Sequence, residues 1–230
     1  MNLGPAEWAI IGLSLKVALV AVIGSLPFGI LAAYALARGR FWGREALNLL
    51  VHLPLVLPPV VTGYLLLVLF GATGPLGRFF EASLGLSFAF RWTGAALAAA
   101  IMAFPLMVRA IRLALEAVDP KLEEAANTLG ASRLRVFLTI TLPLMAPGIL
   151  AGIILAFAKA LGEFGATITF VSNIPGQTQT LPTAIYAALQ VPGQEGAALS
   201  LILISVVLAA AALIASEVLA RAMRKRMEGS

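Results

Sequence analysis

Long apolar runs separated by short charged clusters dominate the chain. Since no water in the hydrocarbon core can satisfy a free backbone group, a membrane-spanning helix needs about 20 consecutive, mostly apolar residues. Five stretches between the charged clusters meet or approach that length, and each predicts one span. They are residues 8–37, 49–70, 92–108, 143–161 and 197–219. The pattern therefore predicts an all-α polytopic membrane protein in which residues 1–230 form a single transmembrane domain.

Proline and glycine interrupt several of these runs. Gly24 and Pro27 predict a kink in the first span, and the three prolines within residues 54–59 predict that the start of the second is bent or unwound. That bend fits a packing kink and a broken helix beside a permeation pathway equally well. Residues 164–194 are apolar but broken by proline and glycine, so only a short or re-entrant helix over residues 181–189 is expected there.

Composition narrows the chemistry. Hydrophobic residues make up 60% of the chain and charged residues 12%, and the mean hydropathy of +0.98 lies far above that of soluble domains. Cysteine is absent and His52 is the single histidine, so disulfide frameworks and zinc or thiolate sites are not expected. The net charge of +5 comes from clusters between apolar runs rather than from a basic surface with interleaved aromatics, so no nucleic-acid partner is expected.

The basic residues indicate an orientation in the membrane. Twelve of the 16 lysines and arginines follow the first span, separate the third from the fourth, or follow the fifth. They are Arg38, Arg40, Arg44, Arg109, Arg112, Lys121, Arg133, Arg135, Arg221, Arg224, Lys225 and Arg226. Only Arg78 and Arg91 lie in the loops on the other side. Because cytoplasmic loops carry the excess of lysine and arginine, the N-terminus is expected outside and the C-terminus inside.

The largest predicted cytoplasmic loop, residues 116–142, has the local chemistry of a helix, a sharp turn and a second helix. Asp119 is suited to the N-cap and Pro120 to the first helical position. Gly130 can adopt the left-handed conformation that ends such a helix, and Ser132 can cap the next one, which runs into the fourth span. An amphipathic segment of this kind either lies on the membrane surface or meets a partner protein.

This loop resembles the EAA motif of the permease subunits of ATP-binding-cassette importers. The residues that match at the spacing of the motif are Glu124, Ala125, Ala126, Gly130, Ile140, Leu142 and Pro143. The resemblance implies a type I importer permease fold in which Glu124, Ala125, Ala126, Leu129 and Gly130 form a coupling helix seated in a cleft of a separate ATPase. The two alanines would allow close approach, and Glu124 would pair with a basic group.

Two observations extend the resemblance. No lysine is preceded by glycine, so the chain lacks a GxxxxGK[ST] phosphate-binding loop. The chain is therefore not expected to be an enzyme, and a partner subunit would use the ATP.

Residues 53–67 and 161–173 are similar to the molybdate and sulfate branch of these permeases, and the short chain is most like the molybdate type. That resemblance implies a homodimer in the bacterial inner membrane that receives molybdate or tungstate from an external binding protein. The alternative substrates are sulfate, thiosulfate or another oxyanion.

Candidate pathway or gate residues lie within or beside these two stretches. Thr62 and Gly63 come just after the predicted bend. Lys159 and Glu163 are four residues apart and are expected to pair, since an unpaired charge at the bilayer centre costs about 2.5–3.5 kcal/mol. The pair would serve either a gate or a purely structural role. A carboxylate repels an oxyanion, so Lys159 and three hydroxyl groups are the better anion ligands. The hydroxyls belong to Thr167, Thr169 and Ser172.

Two other classes of membrane protein fit the sequence less well. An ATP-independent channel or secondary transporter is expected to show internal repeats and ion ligands near the midplane, and no convincing repeat is present. A membrane-embedded enzyme needs a nucleophile, a base and a group that orients the base. Lys159 and Glu163 supply no such set.

Overall fold

Helices account for most of the chain in the computed structural model. The structure describes residues 4–228, but not the side chains of residues 213, 216–217 and 219–228. The C-terminal basic residues from Arg221 to Arg226 therefore have side chains outside the described part. The helices are α1 (Pro5–Arg38), α2 (Arg44–Val56), α3 (Pro59–Phe70), α4 (Pro75–Leu84), α5 (Trp92–Glu116), α6 (Pro120–Thr128), α7 (Arg133–Val136), α8 (Leu142–Leu161), α9 (Gly165–Val171), α10 (Leu181–Leu189) and α11 (Glu195–Glu228). A π-helical turn, Phe137–Thr141, joins α7 to α8.

Two long helices, α1 and α5, run in the same direction through the core. Near their N-terminal halves, the Lys16 ammonium lies 3.7 Å from the centroid of the Trp92 ring, a cation–π contact. At their C-terminal ends, the Arg38 guanidinium donates to the carbonyl of Val118, at 2.9 Å. The end that carries Arg38 is called the basic end here, and the end that carries Trp92 is called the tryptophan end.

Helix α8 packs antiparallel to α5 through small residues. A side chain at Gly148 would clash with the Ala114 methyl group, and a Cβ at Gly152 would lie only 3.1 Å from the carbonyl oxygen of Met107. The spacing of the two glycines allows the two backbones to approach closely. The two glycines therefore serve packing within one subunit.

The second predicted span, residues 49–70, is two helices with a bend of 116° between them. Leu57 is extended, with ψ of 141°, because the residue before a proline is driven out of the α region. The predicted bend is thus present, but it divides the span, and α2 already begins at Arg44. Within the described residues, four helices are long and apolar enough to cross a membrane, or five if this bent pair forms one span.

Other helix bounds also differ from the apolar runs. Helix α5 continues from residue 108 to Glu116, because Arg109 and Arg112 end the apolar run without ending the helix. Arg112 even supports the added turn, since its Nε donates to Glu116 Oε1 at 2.7 Å. Pro27 lies inside α1, and the helix continues through it. Helix α10 has the bounds expected for residues 181–189.

Candidate functional site: the coupling loop and a membrane ion pair

The loop between α5 and α8 has the local geometry that its sequence predicts. The Asp119 side chain caps α6 by accepting a hydrogen bond from the backbone N–H of Lys121, at 2.9 Å. Gly130 has φ of +86°, a left-handed conformation that L side chains rarely adopt. Ser132 accepts from the backbone N–H of Arg135, at 3.4 Å. The predicted caps and turn are therefore confirmed.

Helix α6 projects from the basic end of the bundle. None of its residues is buried, and Glu124 and Ala125 are exposed. The loop also presents three leucines to the surroundings: Leu122 is 49% exposed, Leu129 88% and Leu134 68%. We call these three residues the leucine surface. Exposed leucines together with small alanines, on a rigidly capped projection, suit close contact with another protein.

Glu123 connects this projection to two membrane helices. Its Oε1 atom accepts a hydrogen bond from the Thr141 hydroxyl at 2.8 Å, in the π turn that leads into α8. The same atom lies 3.8 Å from Arg38 Nη2, at the end of α1. Arg38 also donates to the carbonyls of Leu115 and Val118, at 3.3 and 2.9 Å. Glu123 therefore links α6 to the C-terminal end of α1 and to the turn that precedes α8.

Sequence reasoning missed this connection. Glu124 is exposed and forms none of the four ion pairs found in the described part of the chain, so its pairing with a basic group stays a prediction. Locally, Glu123 is only a carboxylate in the first turn of α6, where the helix dipole favours a negative charge. Its partners Arg38 and Thr141 lie far away in the sequence, so no local pattern signals the contact.

The predicted ion pair of Lys159 and Glu163 is present, with Nζ and Oε2 2.6 Å apart. Glu163 lies just beyond the end of α8 and is only 3% exposed. Its second oxygen accepts from the backbone N–H of Ala166 at 3.1 Å, in the first turn of α9. The Lys159 side chain is 33% exposed, so the lysine is the member of the pair that other groups can reach.

Close backbone contacts join α3 to α9. A Cβ placed on Gly63 would lie 2.5 Å from the carbonyl oxygen of Ala166 and 2.9 Å from Thr169 Cβ. A Cβ on Gly165 would lie 2.7 Å from Pro59 Cβ, at the start of α3. Only glycine fits these approaches, because the opposing atoms include backbone. Glu163 thus positions α9, and α9 supports the second half of the broken span.

The candidate pathway residues other than Glu163 differ in burial. Thr62, Gly63 and Thr167 are buried, and the Thr62 hydroxyl finds no hydrogen-bond partner among the residues that the structure describes. Lys159 and Thr169 are half-buried, and the Thr169 hydroxyl donates to the Gly165 carbonyl at 2.8 Å. The remaining candidate, Ser172, is exposed and has φ of +64°.

The chain is similar to known membrane transport proteins in sequence and in structure. The Molybdenum transport system permease protein ModB of Escherichia coli strain K12 is 60% identical over 226 residues, which cover 98% of this chain and 99% of that protein. The Haemophilus influenzae protein of the same name is 54% identical over 221 residues, 96% of each chain. A crystal structure of a bacterial ABC transporter involved in alginate import superposes with a TM-score of 0.75 at 20% identity, covering 95% of this chain and 80% of that one.

These similarities confirm the expected importer permease fold. The model of the family described as "binding-protein-dependent transport system inner membrane component" matches residues 25–225, which include the coupling loop and the Lys159–Glu163 pair. The chain therefore belongs to the family of binding-protein-dependent transport system inner membrane components.

Proposed function

We propose that this chain is the membrane subunit of an ATP-driven importer that carries molybdate, or the similar tungstate, into the cell. The observation that carries the proposal is its 60% identity to a molybdenum transport permease over nearly the full length of both chains. The subunit would act as a homodimer in a bacterial inner membrane, with its N-terminus outside and its C-terminus inside. Two ATPase subunits would bind on the cytoplasmic face, and an external binding protein would deliver the anion.

The coupling loop would transmit the motion of the ATPases. In this proposal, Ala125, Ala126 and the leucine surface seat in a cleft of the ATPase, with exposed Glu124 available to a basic group of that partner. Closure of the ATPase dimer moves α6. Glu123 then moves the ends of α1 and α8 together, because it contacts Arg38 and Thr141.

The anion would pass near Lys159 rather than near Glu163. The lysine is partly exposed and carries the charge that attracts an oxyanion, whereas the carboxylate is buried and turned towards α9. Among the candidate hydroxyl residues, Thr169 and Ser172 are the two that are not buried. The buried candidates Thr62, Gly63 and Thr167 would instead fix the contact between α3 and α9.

Uptake by the reconstituted transporter tests the function. The test uses vesicles that contain this chain, the ATPase subunit and the binding protein. We expect them to accumulate radioactive molybdate only when ATP is present on the side of the membrane where the ATPase is bound. Excess tungstate should suppress the uptake and equimolar sulfate should not. Uptake at the full rate without an ATPase would contradict the importer assignment, and equal suppression by sulfate would contradict the choice of molybdate.

Replacement of Gly130 tests the coupling loop. Gly130→Val places a β-branched residue at φ of +86°, which costs about 1–2 kcal/mol and distorts the turn after α6. We expect about tenfold weaker copurification of the ATPase, with membrane insertion unchanged. Gly85→Val is the matched control, because Gly85 has φ of +63°, also has open space around it, and lies at the end of α4. Equal losses in the two variants would rule out a specific role for this turn.

A further inference from the structure

A polar crevice lies between α2 and α5 at the basic end of the bundle, apart from both the coupling loop and the Lys159–Glu163 pair. Its volume is about 250 Å³. The lining residues are Asn48, His52, Arg109, Arg112, Leu113 and Glu116. The proposed transport function assigns no role to this cluster.

Hydrogen bonds hold one side of the crevice in place. Arg112 donates through Nε to Glu116 Oε1 at 2.7 Å and through Nη1 to Asn48 Oδ1 at 3.4 Å. The His52 ring lies with Nδ1 2.9 Å from the carbonyl oxygen of Asn48, so Nδ1 carries the hydrogen and donates it. Arg109 is exposed and forms no ion pair or side-chain hydrogen bond within the described residues. Since Glu116 neutralises Arg112, the crevice carries the uncompensated positive charge of Arg109.

The position of the crevice along α5 matches the level of lipid headgroups. At 1.5 Å per residue, Arg109 lies about 26 Å and Arg112 about 30 Å along the helix from Trp92, and the hydrocarbon core is about 30 Å thick. Tryptophan favours the membrane interface, which is consistent with Trp92 near one boundary. Trp42 is fully exposed at the basic end, close to α2, and is consistent with the other boundary.

Exposed leucines flank the charged groups. Leu113 lines the crevice and is 59% exposed, and Leu49 and Leu53, next to Asn48 and His52 in α2, are 67% and 38% exposed. A free oxyanion would leave these apolar side chains uncovered. An occupant with an anionic head and apolar tails satisfies both the charge and the leucines.

We propose that the crevice binds the phosphate group of an anionic phospholipid. Arg109 supplies the charge, His52 and Arg112 set the orientation of the headgroup, and the acyl chains cover Leu49, Leu53 and Leu113. With the proposed orientation, the lipid belongs to the cytoplasmic leaflet, whose anionic headgroups attract basic side chains near the surface. A bound lipid at this position would also hold α2 against α5, on the N-terminal side of the break at Leu57.

Native mass spectrometry of the intact transporter tests the site. We expect phosphatidylglycerol to be retained more strongly than phosphatidylcholine, and Arg109→Gln to weaken the retention of phosphatidylglycerol about five- to tenfold while leaving that of phosphatidylcholine unchanged. Arg40→Gln is the matched control, since Arg40 is an exposed arginine at the same end of the molecule outside the crevice. Size-exclusion profiles verify that the variants remain assembled.

Several results would overturn the proposal. The first is equal retention of phosphatidylglycerol by Arg109→Gln and the unaltered protein, and the second is an equal loss in Arg40→Gln. The third is displacement of the lipid by millimolar inorganic phosphate, which would identify a site for free oxyanions. If Arg109→Gln fails to assemble, Leu113→Ser removes only the apolar flank, and undiminished retention by that variant would overturn the proposal as well.

Discussion

Glu163→Ala should abolish molybdate uptake and lower the free energy of unfolding by about 3 kcal/mol, because it leaves Lys159 unpaired in the membrane. The estimate is at the lower end of the range for a broken buried pair, since the lysine side chain is partly exposed. The substitution also removes the acceptor for the Ala166 N–H at the start of α9. Thermal unfolding in detergent and ATP-driven uptake into vesicles measure the two effects.

A double variant separates the structural role of this pair from a role in transport. Lys159→Met combined with Glu163→Gln removes both charges and retains side chains of similar size. We expect it to recover most of the stability lost in Glu163→Ala, because no unpaired charge remains. Uptake should stay low, since the charge that attracts the anion is gone. Normal uptake by this variant would show that the pair serves the structure alone and would remove Lys159 from the proposed pathway.

Gly63→Val is expected to separate α3 from α9, at a cost of about 3 kcal/mol in stability and with loss of uptake. The added side chain would meet backbone atoms of Ala166 at 2.5 and 2.9 Å, and these atoms move only if α9 moves with them. The measurements are the unfolding temperature in detergent and the rate of molybdate uptake.

Gly12→Val provides the comparison for this effect. Gly12 also lies within a helix, and a Cβ there meets nothing within 4 Å. Both variants carry the same propensity cost of a β-branched residue in a helix, so their difference isolates the contact with α9. Similar stabilities for the two variants would contradict the close packing of α3 on α9.

Features that depend on neighbouring residues were predictable from the sequence. The N-cap at Asp119 and the left-handed turn at Gly130 follow from the chemistry of single residues, and both are present. The pairing of Lys159 with Glu163 follows from a spacing of one helical turn. Proline chemistry likewise predicted a disturbance in the second span, because a proline restricts the residue before it as well as itself.

Features that depend on the folded arrangement were not predictable in this way. Apolar runs locate the hydrocarbon but not the ends of helices, so the predicted third span stops at residue 108 whereas α5 reaches Glu116. The contact of Glu123 with Arg38 joins distant parts of the chain and left no periodic signal. Gly63 was predicted as a pathway residue from its position after the bend, and its close approach to the backbone of α9 is visible only in the three-dimensional structure.

The π turn between α7 and α8 fixes the rotation of α8 around its axis relative to α7. In this turn, the N–H of Leu142 donates to the carbonyl of Phe137, five residues earlier, instead of four as in an α-helix. If the turn tightened to α geometry, the register of all later residues would shift by one position. Helix α8 would then rotate by about 100° around its own axis and advance by about 1.5 Å. Lys159 would then point in a different direction around the axis of α8, without any bend in the helix.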